Sequence, residues 1–320
     1  MAFDRRSPRA GLLSRVCVLV SSLALGVACA HADTGKLPLT GGVSSVTGTA
    51  GGGITPWAVI GTQATEGEVG LSAYASRAVT QDYSLNSTGL AVGFSERVEL
   101  SLAQQDFNAA RASALNAVAP FGVAGDQHVL MDVIGLKVRL LGDAVLDSDT
   151  WVPQVSVGAE NKRVQPGTLQ SVYNFLGVDT SGTDYYVSAT KLLLAQGLLL
   201  NATLRSTNAN QNGLLGFGGK SPAERERSLM AEYSVAWLLN RRLAVGAEYR
   251  HMPNRLEPVG ASAGLGDGLH EDDWYDAFVV WAPTSHLSFT LAYVNLGRVL
   301  PGVTANRRQD GVYLSTQVAF

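Results

Sequence analysis

The chain is nearly free of cysteine. Of 320 residues only Cys17 and Cys29 are cysteines, so everything beyond residue 29 folds without a disulfide or a thiolate. Apolar runs long enough for a membrane helix are also missing from that part, since such a helix needs about 20 residues. The nearest approach, KLLLAQGLLLNATL, is broken by Gln196-Gly197. Charge is sparse, at 16% of residues, and forms no basic stripe, which argues against a nucleic-acid partner.

What is present begins with an export signal. MAFDRRSPRAGLLSR is basic and polar, VCVLVSSLALGVACA is apolar but short, and Ala30-His31-Ala32 offers a small-x-small cleavage pattern before Asp33. Residues 1–32 are therefore expected to be a signal peptide. A lipoprotein signal at Cys29 is the alternative, but Gly26 stands where a larger aliphatic residue is usual. Cleavage removes both cysteines together with Arg5, Arg6, Arg9, Arg15 and Asp4, leaving 20 basic against 26 acidic groups and a formal charge of −6.

Hydrophobic residues make up 46% of the chain, so a chain without membrane helices must use them another way. They alternate. In HLSFTLAYVN the apolar stripe is Leu287, Phe289, Leu291 and Tyr293; in RRLAVGAEYR it is Leu243, Val245, Ala247 and Tyr249; in SLMAEYSVAWLL it runs from Leu229 to Leu239. Similar stripes begin at Val69, Val98, Ile134, Trp151 and Leu198, with charged or polar residues on the opposite faces. Strands that face an apolar medium on one side and a wet space on the other are the signature of a membrane barrel, in which closure pairs every backbone N–H and C=O. A soluble β-sandwich would alternate too.

Loop lengths favour the barrel. GFSER (93–97), LAQG (194–197), LLNRR (238–242) and APTSH (282–286) read as tight turns, and between them lie long stretches at 107–127, 163–183, 206–226, 253–272 and 297–310. Short turns at one end and long loops at the other are the pattern of outer-membrane barrels. Trp57, Trp151, Trp237, Trp274 and Trp281, with Tyr185, Tyr249 and Tyr293, lie toward strand ends, where aromatic girdles form. Counting back from the last strand gives about 14 strands, the first two within 37–48 and 57–64, or about 12 if the amino-terminal segment stays out of the wall. Residues 33–56 are accordingly read as a Gly-rich first strand or inward plug, and 57–320 as the barrel. The terminal GVYLSTQVAF puts Leu314, Val318 and Phe320 on one face. They are expected to act as an assembly signal on the seam strand, whose closure removes an exposed edge.

Five stretches also resemble an uncharacterised proteobacterial family, domain of unknown function 3034: LTGGVSSVTGTAGGGITPWAVIG (39–61), GDAVLDSDTWVPQVSVG (142–158), NRRLAVGAEYR (240–250), EDDWYDAFVVWAP (271–283) and HLSFTLAYVNLG (286–297). The blocks occur in order over nearly the whole chain after residue 32. The resemblance implies an outer-membrane-type protein and brings no activity or functional residues; the longer loops 163–183 and 206–226 depart from it.

Candidate sites follow from the inward faces. Arg97, Glu99, Lys137, Arg139, Glu160, Arg205, Glu232, Arg242, Glu248 and Arg250 are expected to line the lumen, either as facing sectors of a water-filled pore or as ion pairs filling a closed barrel. TGTAGGGITPW lacks the Lys-Ser/Thr and helix of a phosphate loop and reads as a flexible strand entry or plug. Glu271, Asp272 and Asp273 form an acidic cluster at the expected outer rim, a solvated group or a site for divalent ions bridging to lipopolysaccharide. His128, His251, His270 and His286 carry no catalytic signature, and no enzyme activity, metal or cofactor is implied. The expectation is a monomeric outer-membrane barrel passing small polar or amphipathic solutes, in contact with outer-membrane lipid, lipopolysaccharide and the barrel-assembly machinery. Its alternatives are a closed barrel with surface-binding loops and an outer-membrane hydrolase or acyltransferase.

Overall fold

The computed structural model describes residues 36, 39, 41–144, 151–262, 264 and 266–320; the expected signal peptide, residues 1–32 with both cysteines, lies outside them. The wall consists of β3 (Val69–Thr80), β4 (Ser84–Phe94), β5 (Val98–Asn108), β6 (His128–Leu141), β7 (Gln154–Gln165), β8 (Ser181–Leu193), β9 (Leu198–Thr207), β10 (Ser228–Asn240), β11 (Leu243–Arg250), β12 (Trp274–Trp281), β13 (Leu287–Arg298) and β14 (Arg308–Ala319). Each strand pairs antiparallel with its sequence neighbours, and β14 pairs with β3 from Gly311↔Thr80 to Ala319↔Ser72, closing the barrel. Two short strands, β1 (Val43–Ser44) and β2 (Ala50–Gly51), form a hairpin of their own.

The wall therefore holds 12 strands, the smaller expected number. Neither 37–48 nor 57–64 contributes to it: the described residues from 41 to 64 lie inside the barrel, and the wall starts at Val69 rather than at residue 57. The physical reason is composition. Gly41, Gly42, Gly48, Gly51, Gly52, Gly53 and Gly61 offer no side chain to lipid, and Pro56 cannot donate to a ladder.

The loops sort to two ends. Residues 95–97, 194–197, 241–242 and 282–286 turn tightly at the end that holds Phe320, and 109–127, 166–180, 208–227, 251–273 and 299–307 are the long connections at the other. Two connections break the pattern: 81–83 is short at the long-loop end, and β6 and β7 are separated by a longer stretch of sequence, 142–153, at the short-turn end.

Along β10 the outward residues Leu229, Tyr233 and Trp237 are 66%, 53% and 57% exposed, while Met230, Glu232, Ser234 and Ala236 are buried. The same alternation recurs at Leu100 and Leu102, Ile134 and Leu136, Leu200 and Leu204, Leu291 and Tyr293, and Val312 and Leu314, all exposed. A continuous belt of large exposed apolar side chains is not a water-facing surface; it fits hydrocarbon. No helix among the described residues is long and apolar enough to cross a membrane. The fold is a transmembrane antiparallel β-barrel of the outer-membrane type.

The aromatic belts divide by chemistry. Trp237 and Trp281 lie outward near the short-turn end, where Trp281 stacks on Phe289 at 5.9 Å. Tyr185, Tyr249 and Tyr275 lie outward toward the long-loop end. Trp57 and Trp274, expected in the girdle, are buried inside, because residue 57 belongs to the inward segment and residue 274 faces inward at the top of β12.

At the seam, Phe320 N donates to Leu71 O at 2.7 Å, Leu71 N returns a bond to Phe320 O at 3.0 Å, and the Phe320 ring stacks on His286 at 5.1 Å. Leu314 is exposed on the outer face and Val318 is half-buried on the same face.

Candidate functional site: a filled lumen beneath an apolar cavity

The lower interior is built from inward strand residues that would be an unbalanced set of buried charges if left alone. Arg205 on β9 sits at its centre: Nη1 is 2.7 Å from Glu160 and 3.5 Å from Asp184, and Nε is 2.6 Å from Glu232. Lys162 adds bonds to Asp184 at 2.8 Å and an approach to Glu160 at 3.7 Å, and Arg250 reaches Glu232 at 3.3 Å. On the other side Lys137 pairs with Glu99 at 3.2 Å. All of these side chains are at most 1% exposed.

The amino-terminal segment is threaded through this lattice, and its backbone takes up much of the remaining hydrogen-bonding capacity. Glu99 accepts from Thr49 Oγ1 at 2.8 Å, Ala50 N at 3.0 Å and Gly61 N at 2.8 Å. Glu248 accepts from Ile54 N at 2.8 Å and from Thr55 Oγ1. Lys137 donates to Ala50 O at 3.0 Å and Val59 O at 2.9 Å, and Arg250 donates to Ile54 O. Neutral side chains add to these: Thr203 donates to Pro56 O at 2.7 Å, Gln154 to Ala58 O at 2.7 Å, and Gln105 and Ser87 to Val46 O at 2.7 and 2.8 Å. Trp57 Nε1 donates to Ser234 Oγ at 2.9 Å. Buried peptide groups outside a ladder need such partners, so the polar lumen satisfies a chain that makes few ladders of its own.

The glycines let the segment fit. Gly48 has φ +92°, a left-handed geometry, and a Cβ there would stand 3.0 Å from the Ala103 side chain; a Cβ on Gly52 would fall on the Glu248 carboxylate. On its apolar side Val43, Val46, Ala50, Trp57 and Val59 pack with Leu192, Leu199, Ala236, Phe278 and Val280 of the wall.

Toward the long-loop end the interior changes character. A cavity of about 340 Å³ is lined by Val46 and Ile54 of the inward segment, by wall residues such as Phe107, Val129, Trp274 and Val294, and by Ala112, Leu115, Phe121, Leu169, Val172, Phe175, Leu176, Leu214, Leu269, Leu300 and Val303 from the long loops. The loops form its roof by holding one another. Tyr173 Oη donates to Leu214 O at 2.5 Å, Ser171 Oγ donates to Phe121 O at 2.6 Å, and the rings of Phe121 and Phe175 meet edge to face at 5.5 Å. The helix Gln170–Leu176 buries Val172, Tyr173 and Leu176 beneath it and ends at Gly177 in a left-handed cap, φ +67°.

Of the ten residues expected in the lumen, Glu99, Lys137, Glu160, Arg205, Glu232, Glu248 and Arg250 are buried there and converge on residues 41–64. Three do not. Arg97 and Arg242 are exposed in short turns, and Arg139 reaches out of the interior to Glu96 at 3.4 Å and Asp143 at 3.1 Å at the short-turn end. Inward alternation stops where the strand stops, at Arg97 and Arg242; Arg139, still within β6, is drawn to the rim by its two carboxylate partners. Missing from that expectation were Asp184 and Asp276, both inward by the same alternation, and the whole apolar cavity.

Glu271, Asp272 and Asp273 do not converge either. Glu271 is buried, where its Oε1 accepts from Gln211 N at 2.9 Å and burial pushes its carboxyl up to about 7. Asp272 binds Arg298 at 3.0 Å, which holds its carboxyl below the usual range against the effect of burial. Asp273 faces His251 at 2.9 Å and accepts from Tyr249 Oη at 2.5 Å. Successive residues on an extended chain point apart, and no metal-ligating group of three is found among the described residues. His128 pairs with Asp106 at 2.6 Å and His270 with Asp272 at 3.0 Å; among the described residues no serine or threonine hydroxyl is hydrogen-bonded to a histidine ring.

The barrel is similar to several solved outer-membrane proteins. The NanC porin aligns at 9% identity over 78% of this chain and 100% of its own, with a TM-score of 0.46. An outer membrane channel from Pseudomonas putida F1 aligns at 11% identity over 80% and 96%, TM-score 0.42. Outer membrane phospholipase A from Escherichia coli aligns at 9% identity over 78% and 92%, TM-score 0.39. No curated protein matches the chain. The family described as a protein of unknown function, DUF3034, matches residues 40–317, and the chain belongs to that family.

Proposed function

We propose that the protein is an outer-membrane channel, closed at rest, that receives a small solute with a largely apolar body at its long-loop mouth and passes it inward when residues 41–64 shift. The observation that carries this reading is shared surface: Val46 and Ile54 line the cavity, and the same segment fills the lumen below. An occupant of the cavity touches the element that blocks the exit. Passage needs no energy source in this scheme, only a rearrangement in which water or solute replaces the hydrogen bonds of the segment. The long loops face outside, and the end that holds Lys36 and Phe320 faces the periplasm. The charges expected to shape the field of an open pore serve instead to hold the segment.

A binding-only barrel is the second reading, favoured by the number of buried charges engaged in that hold. Single-channel recording in planar bilayers separates them. The intact protein is expected to be silent or to open rarely, and Glu248→Ala or Gly52→Val to give stable steps. Steady open-pore conductance of the intact protein would overturn the closed resting state; silence of both correctly folded variants would favour the binding-only barrel.

A further inference from the structure

We propose that the cavity at the long-loop end binds an uncharged, mainly hydrocarbon molecule bearing a hydroxyl or carbonyl oxygen, rather than an anionic amphiphile. The inference rests on the reading above that this cavity receives the solute, and it concerns the chemistry of that solute.

Two observations carry it. No side chain lining the cavity is Asp, Glu, Lys, Arg or His, so a carboxylate or ammonium placed there would lose its hydration without meeting an opposite charge. The lining is not wholly inert, however. Trp274 Nε1, Gln211 Nε2 and Tyr83 Oη are buried donors, and Gln105 Oε1 a buried acceptor, that have no hydrogen-bond partner among the described residues. Buried polar atoms are ordinarily paired. A ligand oxygen that both accepts and donates, set on an apolar body, offers a partner to whichever of these groups turns toward the cavity.

Charges do stand behind the lining, and none is part of it. Arg250 lies 5.9 Å from the Trp274 ring, where it binds Ile54 O and pairs with Glu232. Glu271 stands behind Gln211 and accepts its backbone N–H. Lys220 covers the ring of Phe175 at 4.8 Å, a side chain 43% exposed.

The test is equilibrium dialysis at pH 7 of the full chain in lipid nanodiscs against empty nanodiscs, with three probes: 1-naphthol, naphthalene and 1-naphthoate. Saturable 1-naphthol binding is expected, about tenfold tighter than 1-naphthoate. Trp274→Phe and Tyr83→Phe are each expected to weaken 1-naphthol about threefold to tenfold and to leave naphthalene unchanged. Ala112→Trp, which fills the cavity from the roof, is expected to abolish binding of all probes; heat-modified gel mobility confirms that each variant is folded.

Equal or tighter binding of 1-naphthoate would overturn the neutral class while leaving the cavity as the receiving site. No saturable binding of any probe would overturn the receiving site as well. Binding that survives Ala112→Trp would place the ligand elsewhere, and 1-naphthol affinity indifferent to both Phe variants would overturn the donor assignment.

Discussion

The two halves of the barrel interior solve opposite problems. Around residues 41–64 the inward charged side chains are directed at peptide groups or opposite charges and an apolar patch packs the other side, so the space is filled by the protein's own chain. Above Val46 and Ile54 the inward side chains are mostly apolar and none is charged, and the space stays open, about 340 Å³ of it. The contrast teaches that polarity inside this barrel marks the closed part, whereas the vacant part is greasy. A polar lumen is usually taken for a wet pore; here its charges are 0–6% exposed because a glycine-rich segment has replaced the water.

The largest test of that contrast is removal of the central cation. Arg205→Leu leaves Glu160, Asp184 and Glu232 without their shared partner in a buried site. A loss of about 3–5 kcal/mol is expected, read from denaturant unfolding in lipid vesicles. A loss below about 1 kcal/mol would mean that the lower interior is hydrated and the carboxylates do not depend on the guanidinium.

Next in size, Glu99→Ala deletes the acceptor of Thr49 Oγ1, Ala50 N and Gly61 N. About 1.5–3 kcal/mol of local stability is expected to go, visible as faster amide exchange across residues 49–61 with the wall strands unchanged. Uniform acceleration over the whole barrel would show that the segment and the wall unfold together.

A matched pair of insertions sharpens the comparison further. Gly52→Leu adds bulk where a Cβ already meets Glu248, and Ala112→Leu adds it beside the open cavity. The first is expected to cost about 1–3 kcal/mol and the second to be near neutral. Equal costs would contradict the division into a filled and a vacant half.

The smallest effect concerns the roof and pH. Glu271 titrates in the fold near 7, raised by burial, against about 4.3 in an unfolded chain. Between those values the folded state keeps a proton that the unfolded state has lost, so this group's contribution is fully present at acidic pH and falls away as pH rises through about 7. Raising pH from 5 to 8 is expected to speed exchange of the Gln211 amide, which Glu271 accepts, beyond the intrinsic rate and by no more than about 75-fold. Glu271→Gln should flatten that response.

Much of the wall was legible because the alternation of period two is dictated by lipid on one side. The stripes at Leu229–Leu239 and Leu287–Tyr293 face outward as read, and Glu232, Glu248 and Arg250 face inward. Strand number was not fixed by the same reasoning. TGTAGGGITPW admits both a wall strand and an inward segment, and only the partners it finds on Glu99, Lys137 and Glu248 decide between them. Arg97 and Arg242 misled because alternation carries no marker for the last wall residue. The cavity escaped notice because its roof comes from loops read by their glycine, asparagine and charge. The clue lay in QSVYNFL, where Val172, Tyr173 and Leu176 repeat at helical spacing, a pattern that a solvated loop has no reason to hold.

The central claim is that residues 41–64 occupy the lumen. Thr55 Oγ1 and Ser234 Oγ lie 2.5 Å apart across that contact, and the chain has no cysteine beyond residue 29. The most direct measurement is therefore disulfide formation in the Thr55→Cys, Ser234→Cys double variant, without its first 32 residues, refolded in lipid vesicles. Near-complete cross-linking, with neither thiol open to a bulky maleimide, is the predicted result. Two free thiols that both label in the folded barrel would contradict it.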